Sequence, residues 1–359
     1  MATLFGKTYS RNELSRKTGE LWQLGGVKPM VLDEGPEQGV RIAEFRTGGG
    51  LSFAVLLDRG MDIGWAEYRG VPLAWQSATG PIAPAFFEPE GLGWLRGFHG
   101  GLVVTCGLTY AGAPCTDEGK KLGLHGRISY TPARLVYCDG EWQNDEHLLW
   151  VQGEMREAVI FGENIVLRRK IWSRLGEKHL FIDDLVTNEG YHTTPHMILY
   201  HINIGFPIVD DEAELVTSPA QVRPRDAVAA QGFSRYNRFE EPTPEYAEQV
   251  FYHELTPDAE GFVRAALVNP AFQGGQGIGV YVRYRKRELP YFIEWKQMGE
   301  GDYVVGMEPA NCLVEGRDVD RAAGRLQFLK PGESREVHLE IGVLASAEEI
   351  EAFREAARG

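Results

Sequence analysis

The sequence predicts an all-β fold, a large antiparallel sandwich or barrel. Three observations carry that expectation. Apolar residues recur at every second position in one run after another, the pattern of strands with one buried face. Glycine (43 residues) and proline (19) punctuate the chain densely, as many short strands joined by turns require. Helical spacing is scarce and confined to the two ends of the chain.

In chain order, Ser10-Arg-Asn-Glu13 fits a capping box and predicts a short helix inside an N-terminal extension of about residues 1–25. Period-2 runs follow at 51–57, 102–108, 147–153, 164–172, 179–187, 196–204, 262–268, 277–285, 291–297 and 302–308, separated by Gly, Pro, Asn and Asp. The clearest comes last, where Val337, Leu339, Ile341 and Val343 alternate with Glu336, His338 and Glu340. With shorter runs included, about 18 candidate strands are present. The segment 218–247, rich in Pro, Arg and Glu, reads as a long excursion from the sheet, over a site. Ser346-Ala-Glu-Glu349 caps a helix over about 347–358, in which Ile350 and Phe353 recur at helical spacing. No repeat, low-complexity tract or linker divides the chain, so one domain over 1–359 is expected.

Composition removes several functions. The 37 Lys and Arg against 51 Asp and Glu leave a formal charge of −14, which repels phosphate backbones and argues against a nucleic-acid partner. The basic run Arg283-Tyr-Arg-Lys-Arg287 reads as a polar strand end. At 43% hydrophobic residues the chain is no disordered polymer. No apolar run approaches the roughly 18 residues of a membrane span, and the first residues lack a signal-peptide core, so a cytoplasmic protein without a membrane partner is expected. The four cysteines, Cys106, Cys115, Cys138 and Cys312, lack C-x-x-C spacing and are expected as small apolar core residues. The glycines of Gly275-Gln-Gly277-Ile-Gly279 precede a strand pattern, where a phosphate loop needs a helix N-terminus. There is no G-x-x-x-x-G-K-[ST] and no G-x-S-x-G, so no nucleotide cofactor and no elbow-type serine hydrolase are indicated.

Nine histidines remain to be weighed. His125, in Leu-Gly-Leu-His-Gly-Arg127, has glycines around it that would let a ligand approach the backbone; otherwise it is a satisfied turn histidine. His192, His196 and His201 lie within ten residues, which suggests a metal site. Strand parity opposes one: Met197, Leu199, His201 and Asn203 share a face and His196 takes the other. The competing readings are a structural cluster and His201 as a lone proton-transfer group beside Asn203. Among carboxylates Glu308 stands out. Val304, Gly306 and Glu308 share one face, Gly306 leaves space beside the acid, and burial at an apolar strand end would raise its pKa; the bland alternative is a strand-end salt bridge. Arg96, in Trp94-Leu-Arg-Gly-Phe-His99-Gly-Gly101, offers a five-donor fork in a glycine-rich loop, or is a surface arginine. The eight Trp and 14 Tyr would suit stacking on sugar rings and are equally at home in sheets.

Four segments in order resemble the aldose 1-epimerase (galactose mutarotase-like) superfamily, and within it a subgroup labelled only as a domain of unknown function. They are Arg96-Gly-Phe-His-Gly-Gly-Leu-Val-Val-Thr-Cys-Gly107, Leu124-His-Gly-Arg127, Tyr200-His201-Ile-Asn203-Ile-Gly-Phe206 and Gly306-Met-Glu308-Pro-Ala-Asn311. The order agrees over about residues 40–343. Three departures stand out: Arg127 follows Gly126 directly, where the family has an intervening Phe; Tyr200 replaces the usual Asn; and a family Asp that contacts substrate hydroxyls has no matching position. The resemblance implies a large antiparallel β-supersandwich and an enzyme that interconverts sugar anomers. It implies Glu308 as base and His201 as acid, one ionised and the other protonated near neutral pH. His125, Arg96 and His99 would bind the sugar, with Lys296 lining the cleft. It requires no metal or cofactor. The partner is a small-molecule sugar, with homo-oligomerisation left open. A non-catalytic carbohydrate-binding protein and a metal-dependent sugar isomerase using His192, His196 and His201 are the alternatives.

Overall fold

The computed structural model describes residues 1–358. Strands dominate and gather into three large sheets and two small hairpins. The first sheet is a meander of five strands, Gly26–Val31, Arg41–Arg46, Leu51–Leu56, Asp62–Tyr68 and Val71–Pro72. The second has eight strands in the order Arg134–Gln143, Glu146–Ala158, Asn164–Arg174, His179–Asn188, Ser334–Leu344, Ile278–Arg285, Phe262–Asn269 and Glu214–Thr217. The third has seven: Ala220–Pro224, Gln249–Leu255, Tyr291–Met298, Tyr303–Ala310, Thr194–Gly205 and Gln327–Leu329 in order, with Val104–Leu108 also paired to Thr194–Gly205. Neighbours pair antiparallel. This is the expected supersandwich.

Two kinds of strand build it. In Asn164–Arg174, Ile165, Leu167 and Ile171 enter the main core while Arg168 and Lys170 face outward, so the sequence alternates. Thr194–Gly205 is buried on both faces. Ile198, Tyr200, Ile202 and Ile204 join the main core. Met197 and Leu199 join a second cluster with Val104, Cys106, Ile293 and Cys312. His201 belongs to that second face, so the site rests on its own apolar floor.

Next to His201, Tyr200 points the other way, into a buried polar pillar between the sheets. Arg169 and Asp184 are paired there through Nε and Nη2 at 2.8 and 2.6 Å, and the Tyr200 hydroxyl donates to Asp184 at 2.6 Å. Arg169 Nη1 donates to Thr105 Oγ1 at 2.8 Å and to the Gly60 carbonyl at 3.1 Å. Asp62, 3.5 Å from the guanidinium, accepts from the Thr105 amide and leaves Oδ2 without a partner.

Both terminal helices form. Ser10 and Glu13 close a reciprocal capping box on Arg11–Ser15. Ala347–Arg358 buries Ile350, Phe353 and Ala357 against Ala266, Val268 and Leu344. Two expectations need correction. Only Cys106 and Cys312 are buried, whereas Cys115 and Cys138 are partly exposed. The excursion reaches a site only at its start, where Arg225 and Asp226 line a cavity; beyond that Phe239 enters the main core, and Phe233 and Tyr236 pack near Phe251 beneath the seven-stranded sheet. Its aromatic residues are what the gap under that sheet requires.

Candidate active site

Strand register creates the central pair. Ile202 pairs with Met307 and Leu199 with Ala310, which sets His201 directly across from Glu308. Cross-strand neighbours on one face touch, and His201 Nε2 lies 3.1 Å from Glu308 Oε1 with both side chains buried. Gly306 makes the space. A Cβ there would stand 2.7 Å from Glu308 Oε1 and 3.1 Å from His201 Cε1, so any larger residue would collide with the pair. The Asn203 amide donates to the carbonyls of His201 and Gly101 at 2.9 and 3.0 Å, fixing the strand to the glycine loop.

The pair forms the base of a cavity of about 740 Å³. Aromatic rings wall it. Phe98 and Trp295 meet the His201 ring edge-to-face at 5.3 and 5.2 Å, and His125 does so at 6.0 Å. Trp94 packs 4.9 Å from His125 and anchors its indole N–H on Ser129 at 3.1 Å. His125 sits at φ +55°, clamped by hydrogen bonds from its amide to Gly112 and from Gly107 to its carbonyl. Gly126 beside it makes room for protein: a Cβ would lie 2.2 Å from the Gly107 carbonyl. The glycine therefore serves the turn, contrary to the reading that it admits a ligand.

Burial acts on every titratable group here. It drives His201 down to about 3, helped by nearby His125 and opposed by the Asn203 hydrogen bond. It drives His125 down to about 4. It pushes Glu308 well above the usual carboxylate range, with the Glu248 charge adding and Arg225 opposing. The empty pair thus favours neutral imidazole and carboxylic acid, not the expected imidazolium and carboxylate. Nδ1 of both His201 and His125 is buried without a partner, a desolvation cost that the site carries.

The structure brings together His201, Glu308 and His125 and leaves three expected residues outside the cavity lining. Arg96 lies on the outer surface, its side chain 74% exposed and 3.2 Å from Glu88. In the 3-10 turn Gly93–Gly97 the period of three turns Trp94, Leu95 and then Phe98 inward and leaves Arg96 facing solvent. His99 is buried outside the lining, near Gly101, with neither ring nitrogen bonded. Lys296 faces away by strand alternation: Trp295 takes the cavity side, and Lys296 donates to the Arg238 carbonyl and lies 2.7 Å from Glu240. It pins the excursion from below. The metal alternative also loses its geometry, because His196 turns to the Leu108 carbonyl at 3.3 Å and His192 is exposed.

Sequence reasoning missed the rim. Trp295 donates to Glu248 Oε2 at 2.8 Å, and Arg225 bridges Glu248 and Asp226 at 3.1 and 2.8 Å. Arg225 and Glu248 stand at the two roots of the excursion, which its charged composition alone could not single out. A second depression of about 400 Å³ lies on the outer face of the eight-stranded sheet. Its Arg168 pairs with Glu154 at 3.1 Å and with Glu189 at 2.6 Å.

Comparison with solved structures places this fold among known proteins. A Klebsiella pneumoniae protein, whose assignment as an aldose 1-epimerase is provisional, matches at 26% identity and TM-score 0.87, over 92% of this chain and 86% of its own. A galactose mutarotase-like protein from Clostridium acetobutylicum matches at 13% and 0.62, over 90% and 99% of the two chains. Galactose 1-epimerase from Lactobacillus acidophilus NCFM matches at 11% and 0.58, over 90% and 99%. The last two show the fold alone. No curated protein matches the sequence. Residues 37–343 match the family described as domain of unknown function DUF4432, and the chain belongs to that family.

Proposed function

We propose that the protein is an aldose 1-epimerase-like isomerase that interconverts sugar anomers with Glu308 and His201 as its proton-transfer pair. The observation that carries this reading is the buried His201–Glu308 contact, at 3.1 Å, in a cavity walled by Trp94, Phe98 and Trp295. The provisional assignment of the Klebsiella pneumoniae relative supports it.

Mutarotation needs one proton removed from the anomeric hydroxyl and one delivered to the ring oxygen. Both oxygens are bonded to C1, so base and acid must themselves be close neighbours. Glu308 as carboxylate accepts the O1 proton, and His201 as imidazolium protonates the ring oxygen as its bond to C1 breaks. The open-chain aldehyde rotates about C1–C2, and closure on the other face returns both protons.

Burial of the pair favours its neutral tautomer, and the reactive tautomer carries the same number of protons. Passing one proton across the contact interconverts them without exchange with water. Sugar hydroxyls donating to Glu308 would stabilise its carboxylate and draw the proton onto His201. His125 lines the same cavity and would bind a further hydroxyl through its ring edge. No step requires a cofactor.

The test is anomer-exchange NMR on a panel of aldoses, with and without the protein. Faster exchange that disappears in Glu308→Gln is expected. Binding of a sugar without any acceleration would reassign the protein as a carbohydrate-binding module.

A further inference from the structure

Two buried arginines of this protein answer carboxylates, Arg169 to Asp184 and Arg317 to Asp117. Arg59 does not. It is fully buried in the turn between Leu51–Leu56 and Asp62–Tyr68. It forms no ion pair among the described residues, and Asp62 acts on it only through its charge. Burial pushes the guanidinium below the usual arginine range.

A buried charge is costly unless it is bonded, and what holds this one is main chain. Nε donates to the Ser129 carbonyl at 2.7 Å, Nη1 to that of Ile82 at 2.8 Å and Nη2 to that of Gly97 at 2.9 Å. The guanidinium carbon lies 4.1 Å from the centre of the Tyr130 ring. The Tyr130 hydroxyl also meets the guanidinium and donates to the Trp94 carbonyl at 2.6 Å.

These acceptors gather behind the cavity. Gly97 lies between Trp94 and Phe98, two of the rings that wall it. Ser129 receives the Trp94 indole on its hydroxyl and Arg59 on its carbonyl, in the turn Ile128–Tyr130 just after His125. The close approach depends on Gly97, where a Cβ would stand 2.5 Å from Ile82 and 2.7 Å from the Tyr130 hydroxyl. On the other side, the carbonyl of Gly60 accepts from Arg169 in the polar pillar. One turn thus fastens the aromatic wall to the sheets.

We infer that Arg59 is a positioning residue, whose guanidinium holds the Trp94–Phe98 wall and the His125 turn at the spacing a sugar ring needs above His201 and Glu308. Arg59 is itself outside the lining of the cavity. A lysine keeps the charge, but its single nitrogen cannot reproduce a planar fork spread over three carbonyls. Loss of the fork should loosen the wall and spare the proton-transfer pair, which stands on strands of its own.

The inference rests on the proposed sugar site, so one arm of the test needs no sugar. Hydrogen exchange read by mass spectrometry compares the parent protein with Arg59→Lys. Exchange should quicken by about tenfold or more in 93–98 and 128–131 and keep its parental rate in 194–205 and 303–310. In anomer exchange the same variant should raise KM about tenfold while kcat stays within about threefold, because a misplaced wall weakens only the hold on the sugar. A variant that is less stable and nothing more would lose kcat with the folded fraction and keep KM. Even quickening across all four segments, or a parental KM, would overturn the inference. Should Arg59→Lys fail to fold, Tyr130→Phe, which keeps the cation and removes only the hydroxyl between it and Trp94, decides by the same readings. A parent protein without anomer exchange would remove the proposed function, and the hydrogen-exchange pattern would still decide whether Arg59 holds the wall.

Discussion

Tyr200 and His201 are consecutive residues of one strand, and they open onto two buried polar clusters of opposite character. On the Tyr200 side, Arg169 and Asp184 are tied by multiple hydrogen bonds. On the His201 side, two imidazoles keep a bare Nδ1 and burial pushes a carboxyl well above the usual carboxylate range. Both clusters cost desolvation. The first recovers it through internal pairing and joins the sheets. The second leaves its groups for an incoming molecule. The contrast is one of degree, since Asp62 Oδ2 on the Tyr200 side is also buried without a partner.

Substitution on each side should separate the two. Glu308→Gln should lower anomer exchange by about 10²–10⁴, as loss of a general base does. It should leave the melting temperature unchanged or raised, because the folded site already disfavours the carboxylate; a large drop would make Glu308 part of the architecture. His201→Asn should also slow exchange, and the double variant should lose less than the product of the single losses. Asp184→Ala should cost about 3–5 kcal/mol in denaturant unfolding, since Arg169 is left buried without its main partner. A loss below about 1 kcal/mol would erase the contrast.

Acid should test the buried histidines next. His196 and His125 are held down near 4 and His201 near 3, all by burial. The unfolded chain therefore takes up protons that the folded chain refuses. Stability should fall as pH drops from about 6.5 toward 4, by on the order of 2 kcal/mol per such histidine at pH 5. Thermal melts between pH 7 and 5 measure this, and a flat profile would mean that these rings are not buried in neutral form. The smallest effect should come from Arg96→Ala. An exposed arginine beside Glu88 should change stability by about 0.5 kcal/mol or less, and activity by less than about twofold.

How much of this was legible in the sequence depends on how local its cause is. Strands and capped helices were, because alternation and Ser-x-x-Glu are written in neighbouring residues. His201 and Glu308 were, because each sits in a recognisable segment and strand parity fixes its face. The error over Lys296 is one step of the same parity: choosing the cation over adjacent Trp295 chose the wrong face. Arg96 failed because a 3-10 turn, unlike a strand, was not visible in its segment, and Trp94 and Phe98 were the inward residues. Arg225 and Glu248 were out of reach, since 23 positions separate two residues whose partnership exists only after the excursion folds beneath the sheet.

Gly306 has a consequence for descent. It is neither acid nor base, yet a single methyl group there would intrude on Glu308 and His201 together. Loss of chemistry in a lineage therefore does not require loss of either titratable residue. Gly306→Ala would crowd the pair and shift the Glu308 carboxyl while leaving the Tyr200 pillar untouched. Relatives that retain the histidine and the glutamate but have filled this position would be inherited scaffolds with a closed floor. Sorting the family by the smallest residue in its site would divide it where sorting by the reactive ones cannot.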